Sequence, residues 1–320
     1  MKDYFRLGLL GVITRLHHLD FKFYLPAVAR FPLRLAYTLS NIRGLVNQWF
    51  CRDWRSVALK TRHIKRQTLA AYKLFPGVIS SAEKAAWLGQ RFATEAREEF
   101  EARLVVARRV SELNCSLHPK NALTAHGQSG RGLVLLTLHF DSFFLGAGFL
   151  ARSGKPFNFM ASAITQDPRV DIAVQNHFEA KYRGLEAYLN GGKKANMEGG
   201  MRPFYKMLAK HQTLIVVGDS PPLGADSSDT DIVVNFLGAK RRLAGGALRM
   251  AQSTDSDIGA YLCYYVDKGN YRVEICPPAP ASDPQSVQNI YDFFSRAILS
   301  DPGLWWGADL LPSMPVVSEE

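Results

Sequence analysis

Apolar residues in the first third of the chain recur at helical intervals. Ser80-x-x-Glu83 has the form of a capping box that opens a helix. After it, Leu88, Phe92, Ala96, Phe100, Leu104 and Ala107 continue one apolar face. Glu98, Glu99, Arg103 and Arg109 are expected to cover the opposite face. Nearer the start, Phe5, Leu9, Val12, Ile13, Leu16 and Phe23 follow a similar spacing, interrupted by Arg6, Arg15, His17, His18 and Lys22. Leu7 and Leu10 broaden that apolar side, whereas Gly8 and Gly11 weaken the helix. Pro26, Pro32 and Pro76 divide residues 1 to about 115 into short helical pieces.

From about residue 118 the pattern changes. Aliphatic or alternating runs at 133–138, 157–163, 213–217, 232–236, 259–265 and 271–276 predict strands. Helix-compatible stretches at 142–152, 169–184, 201–210, 243–254 and 285–299 separate most of them. This alternation predicts an α/β fold: a mixed, mostly parallel sheet covered by helices, with a helical N-terminal region. The last two strands, joined at Asp267-Lys-Gly-Asn270, read as a hairpin. The segments 190–200 and 222–231 read as surface loops. Two parts are expected: a basic helical region over 1–79 and an α/β domain over 80–320.

Charge sharpens the first part. The 320-residue chain carries a net charge of +10, and residues 1–73 hold 14 Lys/Arg against 3 Asp/Glu. The remainder is nearly neutral. The early region therefore suits an anionic surface. Interleaved Phe, Leu and Trp favour a membrane interface over nucleic acid, since no recognised nucleic-acid-reading module accompanies the charge. No uncharged run reaches the roughly 18 residues needed to span a bilayer. Residues 7–14 are short for the apolar region of a signal peptide. Cys51, Cys115, Cys263 and Cys276 have no metal spacing and read as reduced thiols.

Candidate chemistry gathers at strand ends, where open α/β sheets place their sites. The run Leu133–Leu138 stops at His139, with Asp141 two residues on. A second strand ends in Val216-Val-Gly-Asp219, and Asn235-Phe-Leu-Gly238 leads into Lys240-Arg241-Arg242. There is no G-x-S-x-G elbow, no phosphate-binding P-loop, no G-x-G-x-x-G and no H-E-x-x-H. Phe140, Phe143, Phe144, Phe149, Phe157 and Phe159 suit either an acyl-chain groove or an ordinary core.

This order of segments resembles the lysophospholipid acyltransferase superfamily, and within it the bacterial lipid A late acyltransferases, over roughly residues 80–312. His139 closes an aliphatic strand as in the family's H-x4-[DE] block, and Gly218-Asp219 stands where a strand ends in an acidic residue. Phe236-Leu-Gly238 with Gly245-Gly246 is similar to a Phe-Phe-Gly segment, and Asp301-Pro-Gly-Leu-Trp-Trp306 to a Pro-x-x-Trp block. The chain departs from the pattern at Phe144, which occupies the acidic position. Phe159-Met-Ala-Ser162, with Arg169 farther on, replaces an Arg-containing segment, and Asp309 follows the tryptophans where an arginine is expected.

The resemblance implies acyl transfer from acyl carrier protein or a CoA thioester to a hydroxyl or amine of a lipid or glycolipid acceptor. It implies no metal and no other cofactor, and a peripheral location on the cytoplasmic face of the bacterial inner membrane. His139 would be the general base and Asp141 its orienting carboxylate. Asp219 is the second candidate if its strand lies beside that of His139. Lys240, Arg241 and Arg242 would hold a phosphate, meet an oxyanion or dock the acidic carrier protein, unless they are a solvated loop. Two other readings compete: a silent relative that binds lipid or an envelope-assembly partner, and a metal-dependent phosphoesterase using His139, Asp141 and Asp219.

Overall fold

The computed structural model describes residues 2–126, 129–162, 167–222 and 231–317, with side chains from residue 11 onward except 124 and 125. Helices α1 (Lys2–Leu19), α2 (Leu25–Val28), α3 (Leu33–Phe50), α4 (Trp54–Ala58) and α5 (His63–Ala71) precede the long α6 (Ser81–Val106). Strands β1 (Asn114–His118), β2 (Leu133–Thr137), β3 (Phe157–Ala161), β4 (Lys194–Asn196) and β5 (Thr213–Val217) follow. They alternate with α7 (Ala122–His126), α8 (Phe143–Ala151), α9 (Ile172–Glu186) and α10 (Arg202–Ala209). The chain closes with β6 (Asp231–Phe236), β7 (Ala239–Ala244), α11 (Gly246–Ser253), β8 (Asp257–Asp267), β9 (Asn270–Pro280) and α12 (Pro284–Ser300). The expected side-chain pattern over residues 5–10, Ala163, and most of the 222–231 loop lie outside what is described.

The main sheet has the order β1-β9-β8-β2-β5-β3-β4. Only β8 and β9 pair antiparallel; every other neighbour is parallel. The mixed, mostly parallel α/β sheet is therefore as the sequence predicts. Alternation along β2 sends Leu133 and Leu135 into one apolar layer with α8 and α9, and Val134 and Leu136 into the other with α10, α11 and α12. The expected strand at 232–236 is not part of this sheet. It pairs with β7 as a separate hairpin whose Lys-Arg-Arg content concealed the second strand. Both edge strands escape the sequence pattern: β1 because Asn-Cys-Ser-Leu-His carries no apolar run, and β4 because its three residues lie within the 190–200 segment that reads as a surface loop.

The polar face of α6 lies inside the protein instead of facing solvent. Glu95, Arg97, Glu98, Glu99 and Glu101 are all buried. Helix α6 is sandwiched between α3 and the sheet-side helices, so its charges find partners instead of water. Arg43 pairs with both Asp20 (2.7 Å) and Glu99 (2.6 Å), Arg91 pairs with Glu95 (2.5 Å), and Lys181 pairs with Glu98. Removing one partner of such a pair typically costs ~3–5 kcal/mol. Helices α3 and α6 cross closely at Gly44, where a Cβ would lie 2.6 Å from the Ala93 Cα. The helices before residue 80 share a core with the sheet: Phe21, Leu25, Ala36 and Tyr37 pack in the same cluster as Leu135 and Phe143. Among the described residues, no helix is long and apolar enough to cross a membrane.

His17 is buried against Phe21 (4.8 Å between ring centroids), and neither ring nitrogen has a hydrogen-bond partner among the described residues. Burial is the main cause that holds its pKa down at about 3; Arg43 and Arg52 add to the effect, while Asp20 and Asp171 oppose it. The unfolded chain takes up this proton near pH 6.5, so stability is lost as pH falls from there toward 3. Between pH 7 and 5 the wild type is expected to lose about 2 kcal/mol more than His17→Leu. Denaturant unfolding of both proteins at the two pH values measures the difference, and equal losses would refute the assignment.

Candidate active site

Parallel pairing of β2 with β5 puts Thr137 level with Val217. Two residues farther on, His139 and Asp219 emerge side by side at the C-terminal edge of the sheet. The condition that would make Asp219 the carboxylate partner is thus met. Its Oδ1 lies 2.8 Å from His139 Nδ1, and its Oδ2 accepts the His139 backbone N–H at 3.0 Å. The Trp305 indole N–H donates to the same Oδ2 at 2.9 Å. An ionised carboxylate only accepts, so this contact assigns a proton to His139 Nδ1, and in the neutral ring Nε2 then carries the lone pair.

The two residues differ in exposure, and that difference decides what they can do. Asp219 is fully buried, while the His139 side chain is 30% exposed. Burial opposes ionisation of Asp219, but the charge and hydrogen bonds of His139 and Trp305 outweigh it and hold the carboxyl below its ordinary range. Trp306 and Phe143 flank the imidazole, at 4.7 and 5.5 Å between ring centroids. The result is a half-open imidazole on an apolar rim, backed by a sealed anion.

The segment after α12 closes over this pair. Phe140 and Trp305 form an isolated antiparallel bridge, and the Gly307 N–H donates to the His139 carbonyl at 3.2 Å. Tyr291 donates to the Gly218 carbonyl at 2.8 Å and steadies the approach to Asp219. Gly307 lies so close that a Cβ there would sit 2.6 Å from Asp219 Oδ2 and 2.8 Å from His139 Cβ.

Asp141 does not orient His139 as expected. It is buried in the turn before α8 at φ +42°, where Arg97 binds one carboxylate oxygen and the Tyr265 N–H donates to the other at 2.8 Å. Ser142 adds a contact at 3.3 Å to the oxygen that Arg97 binds. Two residues of separation turn the side chain under the strand end instead of across it. Phe144 is buried between Phe159 and Tyr182, with the Lys181 ammonium 4.3 Å from its ring, so the position of the family's acid has become core.

The basic cluster also departs from expectation. Arg241 is buried and donates to the carbonyls of Phe236 and Met314, both at 3.3 Å, and burial lowers its pKa. Its guanidinium is thus directed at main-chain carbonyls and largely closed off from solvent. Arg242 lies 3.7 Å from Asp231, and its backbone N–H donates to the Pro315 carbonyl. Lys240 lies on the same hairpin strand, not in a loop, and is exposed. Arg169 is paired with Asp167 in an exposed ion pair at 2.6 Å. Asp309, at the expected arginine, is held by Arg55 at 2.9 Å. Trp305 as a donor to Asp219 was not foreseen; its place in the Pro-x-x-Trp block was the available signal.

Because Gly307 has no room for a methyl group, Gly307→Ala is expected to cost about 1–3 kcal/mol of overpacking strain. Gly246→Ala, where a Cβ meets nothing within 4 Å, should be neutral or slightly stabilising. Unfolding midpoints of the two variants beside the wild type test this contrast.

A family model described as bacterial lipid A biosynthesis acyltransferase matches residues 49–306. No curated protein sequence is matched. Among solved structures, the 1-acyl-sn-glycerophosphate (LPA) acyltransferase PlsC from Thermotoga maritima is similar at 14% identity and a TM-score of 0.29. That comparison covers 74% of this chain and 94% of the other, and at so low a score it bears no weight on function. With the family match extending over most of its length, the chain belongs to the bacterial lipid A biosynthesis acyltransferase family and is an acyltransferase.

Proposed function

We propose that the protein moves a fatty acyl group from acyl carrier protein or a CoA thioester to a hydroxyl or amine of a lipid or glycolipid acceptor, with His139 as general base. The observation that carries this reading is the half-exposed imidazole whose Nδ1 is tied to a fully buried carboxylate. Asp219 holds the tautomer and stabilises the imidazolium, so Nε2 can take the proton of the acceptor hydroxyl as its oxygen attacks the thioester carbonyl. The new C–O bond forms, the C–S bond then breaks, and the proton passes from Nε2 to the departing thiolate. Asp219 thereby performs the orienting role that the family pattern gives to the position of Phe144.

Replacing His139 by Ala is expected to lower turnover at least about 100-fold while the fold persists, and Asp219→Asn to lower it by a similar order. The assay is mass spectrometry of acylated products after incubation with acyl-CoA or acyl carrier protein and an envelope-lipid extract. Full activity of His139→Ala would exclude it as the base. Thioester consumption without an acylated lipid would identify hydrolysis instead of transfer.

The same reading places the protein peripherally on an anionic membrane, the cytoplasmic face of the inner membrane of a bacterium. Support comes from the outer side of α1 and α3. Val12, Leu16, Leu19, Phe23, Leu35, Ile42, Leu45 and Trp49 are exposed there, Trp49 at 76%, with Arg15, Lys22, Arg30 and Arg34 also exposed on this region. A cavity of about 560 Å³ opens between the two helices, lined by Leu16, Leu19, Phe23, Ile42 and Val46. A cluster of apolar side chains this large, bordered by cations, suits insertion at a headgroup boundary. Trp49→Glu combined with Leu16→Glu is expected to weaken binding to phosphatidylglycerol-containing vesicles at least tenfold, and added salt to weaken wild-type binding. Vesicle co-sedimentation measures both, and unaltered binding would rule this surface out.

A further inference from the structure

We infer that Trp305 is a positioning residue for the His139–Asp219 pair: its indole N–H holds the Asp219 carboxylate in the one orientation that keeps Oδ1 on the His139 imidazole. This rests on His139 being the base in acyl transfer.

The argument starts from the number of bonds available to a sealed anion. Asp219 Oδ1 serves His139 Nδ1 at 2.8 Å, and Oδ2 is shared by the His139 backbone N–H at 3.0 Å and Trp305 Nε1 at 2.9 Å. Both donors on His139 belong to the residue being positioned. Trp305 is the donor that approaches from another part of the chain, and it therefore fixes the carboxylate plane relative to the scaffold. With Asp219 at 0% exposure, water does not take its place.

Trp305 is itself built to hold one pose. It is fully buried, stacked on Phe75 at 6.5 Å and met edge-on by Phe236 at 5.7 Å. Its backbone bridges Phe140, the residue after His139, so ring and main chain are referenced to the same strand end. The neighbouring residues complete the clamp. Trp306 lies against the imidazole edge, and Gly307 leaves the space that Asp219 and Trp305 occupy. A ring needed only for packing has no requirement for an N–H aimed at a carboxylate; phenylalanine would fill much of the same space.

The test separates the bond from the packing. Trp305→Phe removes the donor and keeps an aromatic ring, while Phe75→Leu loosens the same packing and keeps the donor. In the substrate-free protein the His139 Nδ1–H is expected to give a low-field proton resonance, assigned by its loss in Asp219→Asn. Trp305→Phe is expected to speed exchange of that proton with water at least about tenfold, and Phe75→Leu to leave it unchanged. With acyl-CoA or acyl carrier protein as donor, Trp305→Phe should lower kcat about tenfold with KM within about twofold. Trp305→Phe/Asp219→Asn should be no slower than Asp219→Asn alone, because the indole acts through the carboxylate.

An unchanged Nδ1–H resonance in Trp305→Phe, or losses that multiply in the double variant, would overturn the inference. Should Trp305→Phe not fold, the indole Nε1–H resonance of the intact protein decides. It is expected to be slowly exchanging and displaced in Asp219→Asn, and an unperturbed signal would count against the bond. Full activity of His139→Ala, by contrast, would sink the general-base reading while leaving the proton-exchange result on the pair standing.

Discussion

A carboxylate with no access to water must be met by donors, and the end of this sheet is arranged around that requirement. Asp219 reaches three N–H groups from two segments: the backbone and ring of His139 on the neighbouring strand, and Trp305 in the segment after α12. Parallel pairing of β2 and β5 places the first two, and the return of the chain after α12 supplies the third. The exposed Nε2 side of the imidazole is the outward consequence of these buried contacts. Without the anion behind it, His139 would be an unoriented ring on an apolar rim.

The same requirement recurs along α6. Arg91, Glu95, Arg97, Glu98, Glu99 and Glu101 sit inside the protein because α3 covers one side and the sheet-side helices cover the other. Burial pushes the Glu99 carboxyl up against the pull of Arg43, and that of Glu101 up to about 8 against the pull of Arg97. Glu101 accepts from Ser142 at 3.0 Å and Tyr271 at 2.8 Å, and Arg97 reaches over to Asp141. The turn that carries His139 into α8 is thereby anchored from below by a polar network distinct from the Asp219 pair. Asp141 belongs to this anchor, which explains its presence beside His139 without a role as its partner.

Much of the architecture was legible. Aliphatic runs that end at His139 and Asp219 marked two central strands, and the alternation of runs with helical stretches marked the α/β class. What could not be read was which acid faces the histidine. Asp141 is two residues away along the chain, and Asp219 is 80, yet the closer one in sequence turns beneath the strand while the distant one lies across it. The cluster Lys240-Arg241-Arg242 misled for a related reason. Three adjacent cations look solvated, but hairpin pairing with β6 and the passage of residues 314–317 cover Arg241.

The charged residues of α6 show the same limit from the other side, since a helix with one apolar stripe is ordinarily wet on its far face. Local periodicity along the chain was sufficient to determine most of the helices and the central strands, the β8–β9 hairpin, the basic and apolar character of the first helices, and the candidate histidine, because each depends on neighbours a few residues apart. Tertiary structure alone decided the partner of His139, the burial of the α6 charges and the donor role of Trp305. Those depend on strand order and on where the C-terminal segment returns, and a hydrogen bond is a matter of distance in space, which spacing along one chain does not encode.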